Sequence, residues 1–259
     1  MGIVAGEPLR EPREVTDEEV AFYRKNGWVR LNQLIDRETC AALLARVQQR
    51  FVQGNAELEI PAFTVMLDLS DDDATLRAFS RSRGMARAAS RLIGRPVRPF
   101  FDSTVVKLPA SATGGETQWH QDSPYYPFDR TGTLNVWIPL VDCPPEKGSM
   151  RFISGSHRLG PLGRTTVTGE NPLEMHPWIL DEYEMSPPLD LAAGDATVVD
   201  HAVIHYAPPN QTETPRWVYT AMFFPADTLY IGAPHRRTDG LGLVVNEPLS
   251  HARFPVLAT

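Results

Sequence analysis

An α+β fold, mainly β and built on a sandwich or barrel, is what the sequence predicts, on three observations. Apolar residues recur at the three-and-four spacing of helices up to about residue 93. Gly94 and Pro96 end that regime. Beyond them, β-rich runs at about 97–108, 134–141, 149–153, 196–206 and 217–224 alternate with turn residues. Helices first and many short strands afterwards are expected of helices segregated to one face of an antiparallel structure.

Taken in order, the first 15 residues set Pro8 and Pro12 among alternating charges and read as a flexible arm. Thr16-Asp17-Glu18-Glu19 has the capping-box form, Val20, Phe22 and Tyr23 follow, and Gly27 closes a short helix. Trp28 to Leu31 reads as a brief strand. Asp36 caps a second helix whose Cys40, Leu43, Leu44, Val47 and Phe51 share a face. A third helix is expected from about Asp73 to Ile93. The organisation is therefore one domain over 1–259. It has helical support at 16–95, a β core at 96–225, a lid-like insertion at about 158–188, and a tail at 226–259 packing near the barrel mouth.

Composition narrows the function. A hydrophobic fraction of 42% and a charged fraction of 22% belong to an ordinary globule with a sizeable core. The net charge of −7 argues against nucleic acid as a partner, because phosphate binding needs a basic face. Two cysteines, Cys40 and Cys143, make neither a disulfide framework nor a zinc spacing. The amino terminus has no signal-peptide run and no stretch is a membrane span, so a cytoplasmic protein without a membrane partner is expected.

His120-Gln121-Asp122 places an imidazole and a carboxylate two positions apart. In extended chain these share a face and can reach one ion. A second histidine comes from the Gly194–His205 run, a Gly-Asp turn feeding a β-branched strand. Two histidines and one carboxylate on one face of a ferrous ion leave three open positions, two for a 2-oxo acid and one for dioxygen. His201 and His205 share strand parity, so periodicity alone does not choose between them. The chain that follows does: Pro208-Pro209-Asn210 is a turn, and a hairpin of that length returns Arg216 toward His205. There its planar fork can grip a carboxylate. His120, Asp122 and His205 are the expected metal ligands and catalytic centre, with Arg216 the expected co-substrate clamp.

Four segments carry a family resemblance. They are VTDEEVAFYRKNGWVRL from Val15, WHQDSPYYPF at 119–128, LNVWIPLVDCPPEKGSMRFISGSHRLG at 134–160 and GDATVVDHAVIHYAPPNQTETPR at 194–216. The chain resembles the phytanoyl-CoA dioxygenase (PhyH) family of Fe(II)- and 2-oxoglutarate-dependent oxygenases. The resemblance implies a double-stranded β-helix, a jelly-roll relative of the cupins, buttressed by N-terminal helices. It implies Fe(II), 2-oxoglutarate and dioxygen as cofactor and co-substrates, with Arg216 on the distal carboxylate and Gln121 and Trp137 at the co-substrate pocket. It also implies hydroxylation of a substrate C–H coupled to decarboxylation to succinate. One position departs from the pattern: Ala207 stands where the family often has a serine. That shifts the carboxylate's second donor to a residue such as Thr104 or Lys107. Asp122, where halogenating relatives carry a small residue, favours hydroxylation over halogenation.

The substrate is read only coarsely. Expected pocket walls are Phe63 to Leu67, Tyr125, Tyr126, Phe128, Met175, Trp178, Tyr183 and the tail after Pro225. They suit a small, apolar or ring-bearing metabolite. The same iron centre could instead divert the radical into epimerisation, cyclisation or desaturation. From another class, a non-catalytic jelly-roll that senses a metabolite would keep the shape without turnover.

Overall fold

The computed structural model describes residues 9–53, 58–60, 63–110, 115–164 and 169–259. The N-terminal expectations hold closely. Helix α1 (Asp17–Asn26) opens on the Thr16 capping box, with Glu19 reaching back to the Thr16 amide, and closes on Gly27 at φ 76°. Strand β1 (Trp28–Leu31) follows, and α2 (Arg37–Val52) is capped by the Asp36 side chain on the Thr39 amide. Strands β2 (Leu58–Ile60) and β3 (Phe63–Leu67), which the sequence reading did not separate out, form an edge hairpin.

The third helix departs from expectation. The span from Asp73 to Ile93 holds two helices instead of one, α4 (Ala74–Ser80) and α5 (Arg83–Ile93), and a short α3 (Leu69–Asp72) precedes them. Asp73 caps α4 at the expected start, whereas Ser82 is extended and caps α5, so it interrupts the helical run to satisfy orphan amides. The arm is corrected for residues 9–15, which are docked: Val15 is buried, the Arg13 amide donates to the Leu34 carbonyl, and the Gly84 amide donates to Glu11. Residues 1–8 lie outside the described residues.

The remaining elements are β4 (Val97–Lys107), β5 (Thr117–His120), β6 (Leu134–Pro139), β7 (Arg151–Phe152), α6 (Pro172–Met175), α7 (Ile179–Glu182), β8 (Ala196–Asp200), β9 (His205–Ala207) and β10 (Arg216–Pro225). They make a seven-stranded sheet in the order β1-β8-β6-β10-β4-β3-β2 and a three-stranded sheet β5-β9-β7, antiparallel throughout. This is a jelly-roll of two facing sheets, with no closed barrel among the described residues. The expected strand at 196–206 is two strands in two sheets, because the turn from Asp200 to Val203 carries the chain across.

Strand periodicity explains why both faces of the large sheet are apolar. On β10, Trp217, Tyr219, Ala221 and Phe223 pack against Val20, Leu43, Leu76 and Leu92 of the helices, whereas Val218 and Met222 face the other way. The 158–188 insertion folds α6 and α7 onto the outer side of the small sheet, Leu173 and Ile179 meeting Ile153 and Ile204. Leu249 and Phe254 of the tail pack on Phe100, Met222 and Phe224. No helix among the described residues is long and apolar enough to cross a membrane.

Buried Asp102 ties β4 to β10 and to α3. Its carboxylate accepts from the Tyr219 hydroxyl at 2.7 Å and from the Ser70 amide at 2.9 Å. Tyr219→Phe strips one donor from a buried carboxylate, and urea denaturation is expected to show a loss of about 1–3 kcal/mol.

Candidate active site

Between the sheets lies a cavity of about 200 Å³ reached by side chains of both, among them His120, Asp122, Trp137, His205 and Arg216. His120 ends β5 and His205 begins β9, and the two are partners in register, with ring centroids 4.1 Å apart. Asp122 follows His120 by two residues. Its Oδ1 lies 3.5 Å from His120 Nε2 and 4.0 Å from His205 Nε2. All three ligand atoms lie within 4.8 Å of one another, close enough to converge on one ion.

The orientation of each ring is held from behind. His120 Nδ1 lies 2.7 Å from the Gln118 carbonyl and His205 Nδ1 lies 3.0 Å from the Val203 carbonyl. Both bonds require the proton on Nδ1, which leaves each Nε2 lone pair directed at the cavity. Burial, helped by the nearness of His120, pushes His205 down to about 4, so it is neutral at pH 7. Burial raises the Asp122 carboxyl, but the histidines around it, His205 foremost, leave it below the usual carboxylate range. Two imidazoles and one carboxylate, all buried or half-buried, are the donor set of a ferrous facial site.

His201 is placed elsewhere. Strand β8 ends at Asp200, so the two-residue alternation that linked His201 to His205 is broken by the crossing turn. Its ring lies parallel to Tyr126 at 6.3 Å and does not line the cavity.

Arg216 arrives by a different route from the one expected. β9 and β10 form no hairpin: residues 208–215 cross from the small sheet to the large one, and Arg216 faces His205 across the cavity. It is fully buried, without a carboxylate partner among the described residues. Its Nη1 donates to the Gly148 carbonyl, its guanidinium lies 5.2 Å over the Trp137 ring, and its Nε has no partner. Burial lowers it only to about 10, so it keeps its charge at neutral pH. Gly148 has to be glycine here: φ is +87°, and a Cβ would sit 2.6 Å from the Pro208 carbonyl.

Four expectations are corrected. Gln121 does not face the cavity; its amide donates to the Gly160 and Ala202 carbonyls and accepts from Leu162 N, pinning the insertion to the crossing turn. Alternation explains this, since 121 points away from the face shared by 120 and 122. Thr104 is turned off the cavity and donates to the Val218 carbonyl. Tyr125, Phe128, Met175, Trp178 and Tyr183 are not cavity walls, and the tail backs Phe101 and Tyr126 instead of lining the cavity itself. Of the expected walls, Phe63, Leu67 and Tyr126 are in place. The sequence reading missed Phe101, Ser103, Asn135 and Thr220, whose signal was period-two parity with Val105, Trp137 and Arg216 on strands it had found.

Lys107 is the register partner of Arg216 across β4 and β10. It is wholly buried beside Arg216, and its Nζ donates to Thr117 Oγ1 and to the Ala207 and Pro208 carbonyls at 3.0–3.2 Å. Burial, with the Arg216 charge beside it, pushes it down to about 6. It joins the two sheets at the Arg216 end.

A family model described as phytanoyl-CoA dioxygenase (PhyH) matches residues 23–218, most of the chain. Over 120 residues the chain is 31% identical to the phytanoyl-CoA dioxygenase domain-containing protein 1 homolog of Dictyostelium discoideum; the match is 44% of this chain and 42% of that protein. The aligned part thus spans less than half of that relative's length. The fold is that of the non-heme alpha ketoglutarate dependent carbocyclase SnoK from nogalamycin biosynthesis, with a TM-score of 0.80 at 22% identity over 96% of this chain and 100% of that one. The epimerase SnoN of the same biosynthesis is similar with a TM-score of 0.79 at 25% identity, over 93% and 98%. SnoN has been solved in complex with Fe3+, alpha ketoglutarate and nogalamycin RO.

Gln121→Ala removes the hydrogen bonds to the Gly160 and Ala202 carbonyls and from the Leu162 amide and leaves buried backbone groups unmet. An unfolding midpoint lowered by the equivalent of about 2–3 kcal/mol is expected, with calorimetric 2-oxoglutarate affinity changed by less than roughly twofold because the side chain faces away from the cavity.

Proposed function

This chain belongs to the phytanoyl-CoA dioxygenase (PhyH) family, and from that premise we propose that it is an Fe(II)- and 2-oxoglutarate-dependent oxygenase hydroxylating an unactivated C–H bond of a small specialised metabolite. The observation that carries the reading is the buried, unpaired Arg216 across the cavity from His120, Asp122 and His205. A lone buried cation is costly, and a dicarboxylate whose far end meets it while its 2-oxo acid end meets the metal removes that cost. His120 Nε2, Asp122 Oδ1 and His205 Nε2 would hold the iron. Bound there, iron supplies dioxygen activation coupled to decarboxylation of the co-substrate to succinate.

The chain's own residues do the rest. Gln118 and Val203 carbonyls keep the imidazole lone pairs on the metal, Trp137 and Gly148 keep the guanidinium aimed, and the apolar walls exclude water from the reacting C–H. Asp122 fills the position a halide would need, which favours oxygen insertion. A metabolite free of a coenzyme A carrier is supported by the basic residues outside the cavity. Arg236 and Arg237 are engaged with Asp68 and Asp71, and Arg158 donates to the Lys25 carbonyl. Cys40 and Cys143 are buried free thiols, consistent with work in a reducing cytoplasm. A second reading keeps the same centre but ends in epimerisation or ring closure; the likeness to the epimerase SnoN favours it. The mass of the product separates the two, since only hydroxylation adds an oxygen. A binding module without turnover is opposed by the complete triad.

The deciding experiment adds Fe(II) and 2-oxoglutarate anaerobically. A metal-to-ligand charge-transfer band, followed by succinate on admitting air, is expected, and neither appearing would refute the oxygenase reading. His120→Ala and His205→Ala should each abolish iron binding and succinate formation, whereas His201→Ala should keep substantial turnover. Arg216→Ala should weaken 2-oxoglutarate by about 2–5 kcal/mol, roughly thirtyfold or more in Kd; an unchanged Kd would place the carboxylate elsewhere.

A further inference from the structure

The cavity has two ends, and the co-substrate accounts for one. Arg216 pairs with Lys107, and Lys107 in turn holds Thr117 and the Ala207 carbonyl, so these residues mark one end of both sheets. His120 and His205 lie beyond the Thr117–Ala207 pair. On the large sheet, Thr220 is four residues along β10 from Arg216, about 13 Å, and pairs with Ser103 and Trp137. Asn135 lies two residues past Trp137, between Met222 and Val199. Asn135 is thus level with Met222, six residues along β10 from Arg216, and this half of the cavity is left for the substrate.

That half has apolar walls, Leu67, Phe101 and Tyr126, and a polar floor. The Ser103 and Thr220 hydroxyls are 2.6 Å apart and bond to one another. Asn135 is different. Its carboxamide makes no hydrogen bond among the described residues, and its Oδ1 is buried. Buried polar atoms of native proteins nearly always have partners, and no neighbouring side chain supplies one here. The donor has to come from whatever fills the cavity.

We infer that Asn135 is a specificity-determining residue that accepts a hydrogen bond from a hydroxyl carried on the substrate's ring. The substrate class is then an oxygenated ring compound, its apolar faces against Leu67, Phe101 and Tyr126 and one hydroxyl on Asn135 Oδ1. The inference rests on the oxygenase reading for the role of this half as the substrate's, but the binding it describes does not need iron.

The test uses three ring probes of one shape: 4-phenylphenol, its methyl ether and biphenyl. Binding to the full chain is followed by tryptophan fluorescence, Trp137 being in the cavity, with and without Fe(II) and 2-oxoglutarate under anaerobic conditions. The phenol is expected to bind about tenfold tighter than the other two, the scale of one hydrogen bond to a buried polar group. Asn135→Leu should bring the three within about twofold by removing that acceptor, leave biphenyl binding intact, and leave the iron–2-oxoglutarate absorption of the wild type unchanged. Asn135→Ala decides the matter should the leucine variant not fold. Equal binding of the three probes by wild type, binding of none, or a phenol preference that survives in the variants overturns the inference. A phenol preference in a protein with no charge-transfer band would refute the oxygenase reading and leave this one standing.

Discussion

A full positive charge buried without a counter-ion is the constraint to which the rest of this site answers. Taking a guanidinium out of water costs several kcal/mol unless carboxylate geometry compensates it. Arg216 receives only partial compensation, one carbonyl and one aromatic face, while burial and the Arg216 charge push the neighbouring Lys107 down to about 6. The protein can carry such a charge because the surrounding sheet is packed on both sides. A ligand bearing a carboxylate finds the fork already aimed, with little left to order on binding.

The two halves of the centre come from different sheets. Both histidines are neighbours on the small sheet, fixed by one register pair and two backbone carbonyls, whereas Arg216 and Trp137 belong to the large sheet. The distance between metal site and carboxylate site is thus set by the separation of the sheets. Trp28, Phe152, Val199, Val203 and Val218 fill the space between them, and Lys107 spans it with hydrogen bonds. Buttressing by α1, α2, α4 and α5 matters for the same reason: it keeps the large sheet's outer face dry and the sheet rigid.

Much of this was legible along the chain. The Thr16 box, the Gly27 stop and the Asp36 cap are local devices, decided within four residues, and they appear where their chemistry places them. That His120, Asp122, His205 and Arg216 belong together was legible because each residue type is chemically distinctive, and the fold does bring them to one cavity. Failures came where a local rule met a longer-range decision. Ser82 caps a helix in the middle of an apolar period, and the turn after Asp200 ends a run that reads as one strand.

What the sequence determined by itself, then, is the inventory: helices before strands, and two imidazoles, a carboxylate and an arginine that meet at one cavity. Which sheet each strand joins was decided only in three dimensions. So were Gln121 turning away as Asp122 turns in, and Asn135 standing unpartnered opposite the apolar walls. The physical reason is that chemical identity is carried by single residues, whereas burial, partnership and the face a side chain presents depend on chain that is far away in sequence and adjacent only after the two sheets have closed on each other.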